Sequence, residues 1–171
     1  CFGMALPIYN YVSIEETVMP GSGIQIEIIN NTNDDILNSI PTDENNIVYK
    51  AVELLYNFIG QTPDEIKITI KSDIPMTKGL GSSASVIVGG LIAANELLGK
   101  PADLDALLSI ATEIEGHPDN VTPAIVGGLV LTSLEEDGSI VYKKLPWPEE
   151  WHITVCIPAD ELATDISRSV L

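Results

Sequence analysis

The feature that most constrains this chain is a loop rich in glycine and serine, residues 75–85, which joins a strand pattern to a helix pattern. Before the loop, residues 66–71 alternate isoleucine with polar side chains, the period of a half-buried strand. After it, apolar residues recur at helical spacing from 86 to 98, and Gly99 and Pro101 end the helix. A strand, a glycine loop and a helix in this order predict a ligand site at the helix N-terminus.

The chemistry of the loop favours an anion as that ligand. Gly79 and Gly81 carry no Cβ atom, so the backbone can turn tightly and approach a bound group closely. We expect Ser82 to cap the helix, whose N-terminal N–H groups carry partial positive charge. The loop is not a Walker A motif, because no Lys-Ser or Lys-Thr pair follows the second glycine. The plain alternative is a glycine-rich turn with a serine N-cap and no ligand.

A second concentration of functional groups follows the next helix pattern. It holds two glutamates, a histidine, an aspartate and an asparagine, namely Glu113, Glu115, His117, Asp119 and Asn120. This density predicts a site at the end of a helix. The structural alternatives are a solvated helix terminus for the glutamates, a loop histidine, and an Asx turn for Asp119 or Asn120 ahead of Pro123.

Periodicity predicts an α+β chain. Strand patterns occur at the start of the chain and at residues 24–28, 66–71, 128–131, 140–142 and 152–157, and helix patterns at 47–59, 86–98, 103–116 and 161–171. The polar residues 30–45 are interpreted as an exposed loop. Because strands and helices mix without a regular βαβ repeat, a doubly wound parallel sheet is disfavoured.

The charge of the chain limits its partners. With 25 acidic against 8 basic side chains, the net charge is −17, which argues against nucleic acid. A small molecule carrying phosphate is repelled as well, so its binding must depend on backbone N–H groups, a helix N-terminus and a divalent cation. The length of 171 residues, 45% of them hydrophobic, suits one domain or at most two.

The lengths of the apolar runs and the number of cysteines indicate where in the cell the protein is expected. No apolar run approaches the roughly 20 residues that span a bilayer, and no signal-peptide pattern opens the chain, so no membrane partner is expected. Cys1 and Cys156 are the only cysteines, which favours a reducing cytoplasm over a disulfide framework. The chain begins as a strand and ends within a helix pattern, so we interpret it as a fragment.

The loop also resembles a known motif. The string Pro-x-x-x-Gly-Leu-Gly-Ser-Ser-Ala is similar to the second signature motif of the GHMP kinases, the superfamily of galactokinase, homoserine kinase and mevalonate kinase. The resemblance implies that the loop wraps the phosphates of ATP, and that Ser83 matches the serine whose hydroxyl reaches a magnesium ion. The nucleotide-binding residues implied are Pro75, Met76, Thr77, Lys78, Gly79, Leu80, Gly81, Ser82, Ser83, Ala84 and Ser85.

The string Glu-Gly-His-Pro-Asp-Asn-Val, which begins at Glu115, resembles the homoserine kinase branch of that superfamily. It implies that Glu115 coordinates magnesium together with Ser83, with Glu113 as the alternative, and that His117 helps to hold an amino-acid substrate. Other branches place an aspartate, proposed as the base, near the point where Asn120 stands. We therefore hypothesise phosphoryl transfer without a dedicated base, with Glu115, Asn120 and Ser83 as the catalytic residues.

Two further segments resemble the same branch. Residues 161–171 are similar to a helix on which Thr164 and Arg168 lie one turn apart, and an arginine fork suits the carboxylate of an amino acid. An exposed helix arginine is the alternative. Asn46 belongs to an Asn-Asn-Ile-Val string that resembles a stretch near the adenine, and helix capping explains this asparagine equally well.

As a whole, residues 1–171 resemble the N-terminal domain of these kinases. The resemblance implies a fold like the second domain of ribosomal protein S5, a mixed sheet with helices packed on one side and a left-handed βαβ crossover, contrary to the usual hand. Two parts of a GHMP kinase are missing from this sequence. One is an Asn-Leu-Gly-Pro-Gly-Phe-Asp type motif, expected just before Cys1, and the other is the C-terminal domain.

The activity that the resemblance implies is transfer of the γ-phosphoryl group of ATP, with Mg²⁺, to the side-chain hydroxyl of L-homoserine, a step of threonine biosynthesis. Two alternatives stay open. One is a kinase of the same superfamily with mevalonate or a sugar as acceptor, and the other is a catalytically silent nucleotide-binding domain. ATP and L-homoserine are the expected partners, and a homodimer is a candidate assembly.

Overall fold

The computed structural model describes residues 1–17, 21–30, 35–76, 78–148 and 150–157. Its elements along the chain are β1 (Phe2–Met4), β2 (Asn10–Glu16), β3 (Gln25–Asn30), a 3₁₀ helix (Asp35–Ser39), α1 (Ile47–Phe58), β4 (Ile66–Ser72), α2 (Ser82–Leu97), α3 (Leu104–Glu115), α4 (Pro118–Val126), β5 (Leu129–Leu134) and β6 (Ile140–Leu145). These helices and strands confirm the predicted α+β class.

The first sheet has the order β2-β4-β3, and it is mixed because β2 runs antiparallel and β3 parallel to the central strand. Alternation separates its two faces. Ile66, Ile68 and Ile70 of β4 are at most 5% exposed and share one face. On the other face Lys67 forms an ion pair with Glu27, with 2.9 Å between Nζ and Oε2. Only the isoleucine face can therefore belong to the core.

Helices α1, α2 and α3 contribute buried side chains to one core with the isoleucine face, which confirms the predicted packing of helices on one side. Within this layer α2 packs closely on two of its neighbours. A Cβ added at Gly89 would lie 2.8 Å from Cγ2 of Val12, and one added at Gly90 would lie 2.7 Å from Cγ1 of Val48. The two glycines let α2 sit directly on β2 and α1, which fixes the position of its N-terminus.

The second sheet is antiparallel throughout, with the order β1-β5-β6. It carries α4, and the buried hydroxyls of Thr122 in α4 and Thr132 in β5 lie 3.2 Å apart. β1 runs so close to α4 that a Cβ at Gly3 would lie 2.8 Å from Cγ of Pro123. The second sheet thus positions α4, which follows α3 after two residues.

Two predictions about single elements are wrong. Residues 152–157 form no strand: they are exposed, and no described strand lies beside them to receive their backbone hydrogen bonds. The polar stretch 30–45 is not wholly an exposed loop, because it contains the 3₁₀ helix, in which Leu37 is only 3% exposed. The predicted helix over 161–171 lies outside the described residues.

The sequence patterns predict neither β2 nor α4. In β2 the inward positions Val12 and Ile14 alternate with polar residues and with a tyrosine, so its apolar face is only two residues long. In α4 the prolines at 118 and 123 break the helical pattern, although Pro118 occupies the first helical position, where it is tolerated. Of the described helices, none is long and apolar enough to cross a membrane.

Candidate active site

The glycine-rich loop lies where the sequence predicts it, between the end of β4 at Ser72 and the start of α2 at Ser82. Gly79 and Gly81 adopt left-handed backbone conformations, with φ of 71° and 69°. Side chains with a Cβ rarely adopt this conformation, so the turn depends on glycine at both positions. Thr77 lies outside the described residues.

The cap of α2 differs from the prediction. Gly81 is the N-cap residue and Ser82 is the first helical residue, so Ser82 does not cap the helix. The left-handed turn at Gly81 brings the chain into the helix one residue earlier than a serine cap would. No described side chain caps the first turn. Its N–H groups lack intrahelical acceptors and, at the positive end of the helix, they form a site for an anion.

The side chains of the first turn of α2 point in different directions. Ser83 is exposed, whereas Ala84 is fully buried in the core. The Ala84 side chain is therefore not available to a ligand at this end of the helix. Earlier in the loop, Pro75, Met76, Lys78 and Leu80 are all partly exposed.

Ser83 and Glu115 are neighbours in space although 32 residues separate them. The hydroxyl of Ser83 donates to Oε2 of Glu115 at 2.8 Å. Glu115 is the last residue of α3, so the contact joins the end of α3 to the start of α2. Glu113 is exposed and lies beside a different depression, which Gly116 and residues of the β5–β6 hairpin also line. The geometry thus places Glu115, rather than Glu113, next to Ser83.

His117 and Asp119 form a second pair, which follows Glu115 in the sequence. Nδ1 of His117 is in contact with Oδ1 of Asp119, and the two side chains are 17% and 21% exposed. His117 is the N-cap residue of α4, and Asp119 and Asn120 lie in its first turn. The Asx-turn alternative is therefore wrong, because both residues are helical. The contact leaves Nε2 of His117 as the ring nitrogen that can face a ligand.

Asn120 lies against the glycine-rich loop. A Cβ at Gly81 would be 3.7 Å from Oδ1 of Asn120, an ordinary contact distance. The two residues line a cleft of about 240 Å³, together with Ser85 and apolar side chains of the segment between β1 and β2, such as Leu6 and Ile8. α4 therefore brings Asn120 to the same cleft that the loop borders.

Asn10 is a site residue that the sequence analysis missed. It begins β2, and its amide bonds to Ser72 and Ile74 at one end of the loop and to Ser82 and Ser85 at the other. These partners lie 62 to 75 positions away in sequence. No local pattern of the chain carries a signal for such contacts.

Asn46 has a structural role. It is fully buried, and its Oδ1 accepts from the backbone N–H of Val48 at 2.9 Å as the N-cap of α1. Its Nδ2 donates to the carbonyl oxygen of Pro41 at 2.7 Å. The capping alternative is therefore confirmed, and the Asn46 amide presents no exposed atom to an adenine. Thr164 and Arg168 lie outside the described residues.

The assembled groups suit a nucleotide with a bound cation. The loop and the first turn of α2 offer N–H donors to phosphate oxygens, and the hydroxyl and carboxylate of Ser83 and Glu115 are the hard oxygen ligands that Mg²⁺ prefers. The described residues contain no cluster of three or more histidine, cysteine or acidic side chains around one point. A two-ligand site still fits Mg²⁺, which usually keeps several waters and takes further oxygens from phosphates.

Comparison with known proteins agrees with this geometry. Residues 46–128 match the family described as the GHMP kinases N terminal domain. A homoserine kinase of Carboxydothermus hydrogenoformans is 44% identical over 99% of this chain and 53% of its own length. A homoserine kinase of Caldicellulosiruptor saccharolyticus is 40% identical over 100% of the chain and 53% of its own length.

Solved structures show the same relationship. The crystal structure of a homoserine kinase from Cytophaga hutchinsonii superposes with a TM-score of 0.72 at 29% identity, over 92% of this chain and 50% of that one. The present chain thus spans about half the length of the curated relatives that it matches.

Proposed function

This chain belongs to the GHMP kinases as an N-terminal domain, and we propose that the complete protein transfers the γ-phosphoryl group of ATP to the side-chain hydroxyl of L-homoserine. By the complete protein we mean this chain with any flanking residues of its reading frame. The product is O-phospho-L-homoserine, an intermediate of threonine biosynthesis.

The contact between Ser83 and Glu115 carries the proposal. It places a hydroxyl and a carboxylate at the uncapped N-terminus of α2, where the chain can hold phosphates. A chain with a net charge of −17 repels an anionic nucleotide at long range, so local groups must provide the binding energy. Backbone N–H groups, the helix N-terminus and two oxygen ligands for a cation together meet that requirement.

Mg²⁺ is the cation that we propose, held by Ser83 and Glu115. When bound, such a cation neutralises the charge that develops on the transferred phosphoryl group. The protein itself orients the phosphates and provides the other stabilising groups. The loop, residues 75–85, orients the phosphates, and the first turn of α2 stabilises negative charge through its N–H groups.

We propose that the acceptor binds beside α4. Asn120 lines the cleft next to Gly81, and His117 is held by Asp119 at the start of the same helix. Thr164 and Arg168 are proposed to bind the carboxylate of the amino acid, in keeping with the family resemblance of their segment. Identities of 44% and 40% to homoserine kinases over the whole chain favour this acceptor over mevalonate or a sugar.

An acceptor panel tests the proposed function. The complete protein is incubated with ATP and Mg²⁺ and with L-homoserine, mevalonate or galactose, and ADP release is followed. We expect release that depends on homoserine and is at least about 100-fold slower with the other acceptors, because a site built to pair polar groups rejects analogues that lack them. Nucleotide binding in calorimetry without turnover of any acceptor would instead indicate a silent domain.

The chemistry requires no dedicated base. Asp119 is the nearest carboxylate to Asn120 in sequence, but its Oδ1 is in contact with His117. We expect Asp119→Asn in the complete protein to keep kcat within about tenfold of the wild type, because proton transfer comes late in a loose transition state. The measurement is steady-state turnover at saturating ATP and homoserine. Loss of turnover with unchanged binding of both substrates would identify Asp119 as a base.

We also propose a cytoplasmic location. Cys1 and Cys156 are both free and exposed, a state that a reducing compartment maintains. Amino-acid phosphorylation by ATP places the reaction where ATP is available.

A further inference from the structure

We propose that Asn10 is a positioning residue of the nucleotide site, whose side-chain amide ties together both ends of the loop between β4 and α2. The inference rests on nucleotide binding, which is one part of the proposed function, and adds to it a residue outside every motif of the sequence. Asn10 is partly buried at the first position of β2.

The oxygen of the Asn10 amide holds the point where the chain leaves β4. Oδ1 accepts from the hydroxyl of Ser72 at 3.0 Å and from the backbone N–H groups of Asp73 at 3.1 Å and Ile74 at 3.2 Å. Ser72 is the last residue of β4 and pairs with Asn10 in the sheet register. One carbonyl oxygen therefore fixes three consecutive residues at the entrance to the loop.

The nitrogen of the same amide holds the point where the chain enters α2. Nδ2 donates to Oγ of Ser85 at 2.7 Å and to Oγ of Ser82 at 3.3 Å. The hydroxyl of Ser85 in turn donates to the carbonyl oxygen of Ser82 at 2.7 Å. The donor half of Asn10 thus orders the first turn of α2, which contains Ser83 between these two serines.

These bonds use the whole capacity of the side chain. An asparagine amide has two N–H donors and an oxygen with two lone pairs, and here both donors and the oxygen are engaged within the chain. Asn10 borders the cleft, yet its amide has no donor left for a ligand. Its influence on a nucleotide must therefore act through the loop.

The clamp matters because it holds a segment outside the regular secondary structure. The described residues 73–76 and 78–81 belong to no helix or strand, and the turn depends on Gly79 and Gly81, which are conformationally free in the unfolded chain. A loop that is already ordered in the free protein loses less conformational entropy when it binds phosphates. Losing the clamp should therefore weaken nucleotide binding more than it weakens the fold.

The test compares nucleotide affinity with stability in the complete protein. The dissociation constant of ADP with Mg²⁺ is measured by calorimetry for the wild type, Asn10→Ala, Ser85→Ala and the double variant. We expect Asn10→Ala to weaken binding about tenfold or more, through loss of preorganisation. We expect the double variant to bind ADP no more weakly than the weaker-binding of the two single variants, because Asn10→Ala already removes the bond that joins Ser85 to the clamp.

Asn95 offers a matched control on the same helix. Its amide donates to the carbonyl oxygen of Ala102 and accepts from the N–H of Ala102, both at 3.0 Å. It lies about 20 Å along α2 from Ser82, at 1.5 Å per residue. Asn95→Ala should lower the unfolding midpoint at least as much as Asn10→Ala and leave the ADP dissociation constant within about twofold of the wild type.

Three outcomes decide the inference. Affinity lost in the Asn10 variant and kept in the Asn95 variant supports it. Unchanged affinity in a folded Asn10 variant, or full additivity with Ser85→Ala, overturns it. If Asn10→Ala does not fold, Asn10→Thr, which keeps most of the volume and suits a strand, gives the same readout. Absence of homoserine turnover in a wild type that binds ADP contradicts the acceptor alone and leaves this test intact.

Discussion

Glu115→Gln in the complete protein is expected to lower kcat about 100- to 1000-fold, the range measured when a preorganised electrostatic group is removed from an active site. Glutamine has nearly the same shape and still accepts the hydroxyl hydrogen of Ser83, which lies 2.8 Å from Oε2 of Glu115. The substitution therefore removes charge and little else. The Mg²⁺ concentration for half-maximal turnover should rise with it, because a neutral amide is a poorer ligand for a hard cation.

The measurement is ADP release at saturating ATP and homoserine over a series of Mg²⁺ concentrations. Ser83→Ala should show the same rise in Mg²⁺ requirement, since it removes the second proposed ligand. Glu113→Gln is the matched control, because Glu113 is exposed and lies beside a different depression. A large loss in Glu113→Gln together with normal turnover in Glu115→Gln would reverse the assignment of the two glutamates.

Strong periodic signals predict most of the helical layer and the central strand. α3 begins after its cap Asp103, whose Oδ1 accepts from the N–H of Ala106 at 2.9 Å, and it ends at Gly116, as the sequence indicates. The central strand β4 is buried on one face and polar on the other, so its alternation is clear. Elements with weak local signals, β2 and α4, are stabilised by tertiary contacts, and their patterns alone do not reveal them.

The same distinction holds for the site. The loop is a local feature, so its glycines, its strand and its helix can be predicted together. The contact between Ser83 and Glu115 depends on how α2 packs on α3, and only the resemblance to a family suggested it. Asn10 belongs to no local pattern and no motif. Its partners come close to it only through the register of β2 with β4 and the packing of α2 on β2.

The fixed position of α4 can be tested at Gly3, where substitution is expected to have the largest effect on stability of any change at the site. A Cβ at Gly3 would overlap the carbonyl oxygen of Asp119 and lie 2.8 Å from Cγ of Pro123. Pro123 has no N–H, so it cannot donate the usual hydrogen bond within the helix to the carbonyl of Asp119. Backbone atoms of a helix cannot rotate away from a new methyl group, so the helix as a whole must shift.

We therefore expect Gly3→Ala to lower the free energy of unfolding by about 1–3 kcal/mol, as overpacking of a close contact does. Denaturant titration of the complete protein measures it. Turnover of the protein that remains folded should fall about 100-fold, since a shift of about 1 Å at a reacting group has that effect. α4 carries Asn120, which lies against Gly81 of the loop. The shift of α4 is therefore expected to cause both the loss of stability and the loss of turnover.

Two variants separate this cause from a general weakening of the second sheet. Ser133→Ala, an exposed position on β5, should change the free energy of unfolding by less than about 0.5 kcal/mol and leave turnover unchanged. Pro123→Ala combined with Gly3→Ala should recover part of the lost stability, because it removes Cγ and restores an N–H donor for Asp119. Wild-type stability and turnover in Gly3→Ala would show that β1 does not hold α4 in place, and the position of Asn120 would then depend on the loop alone.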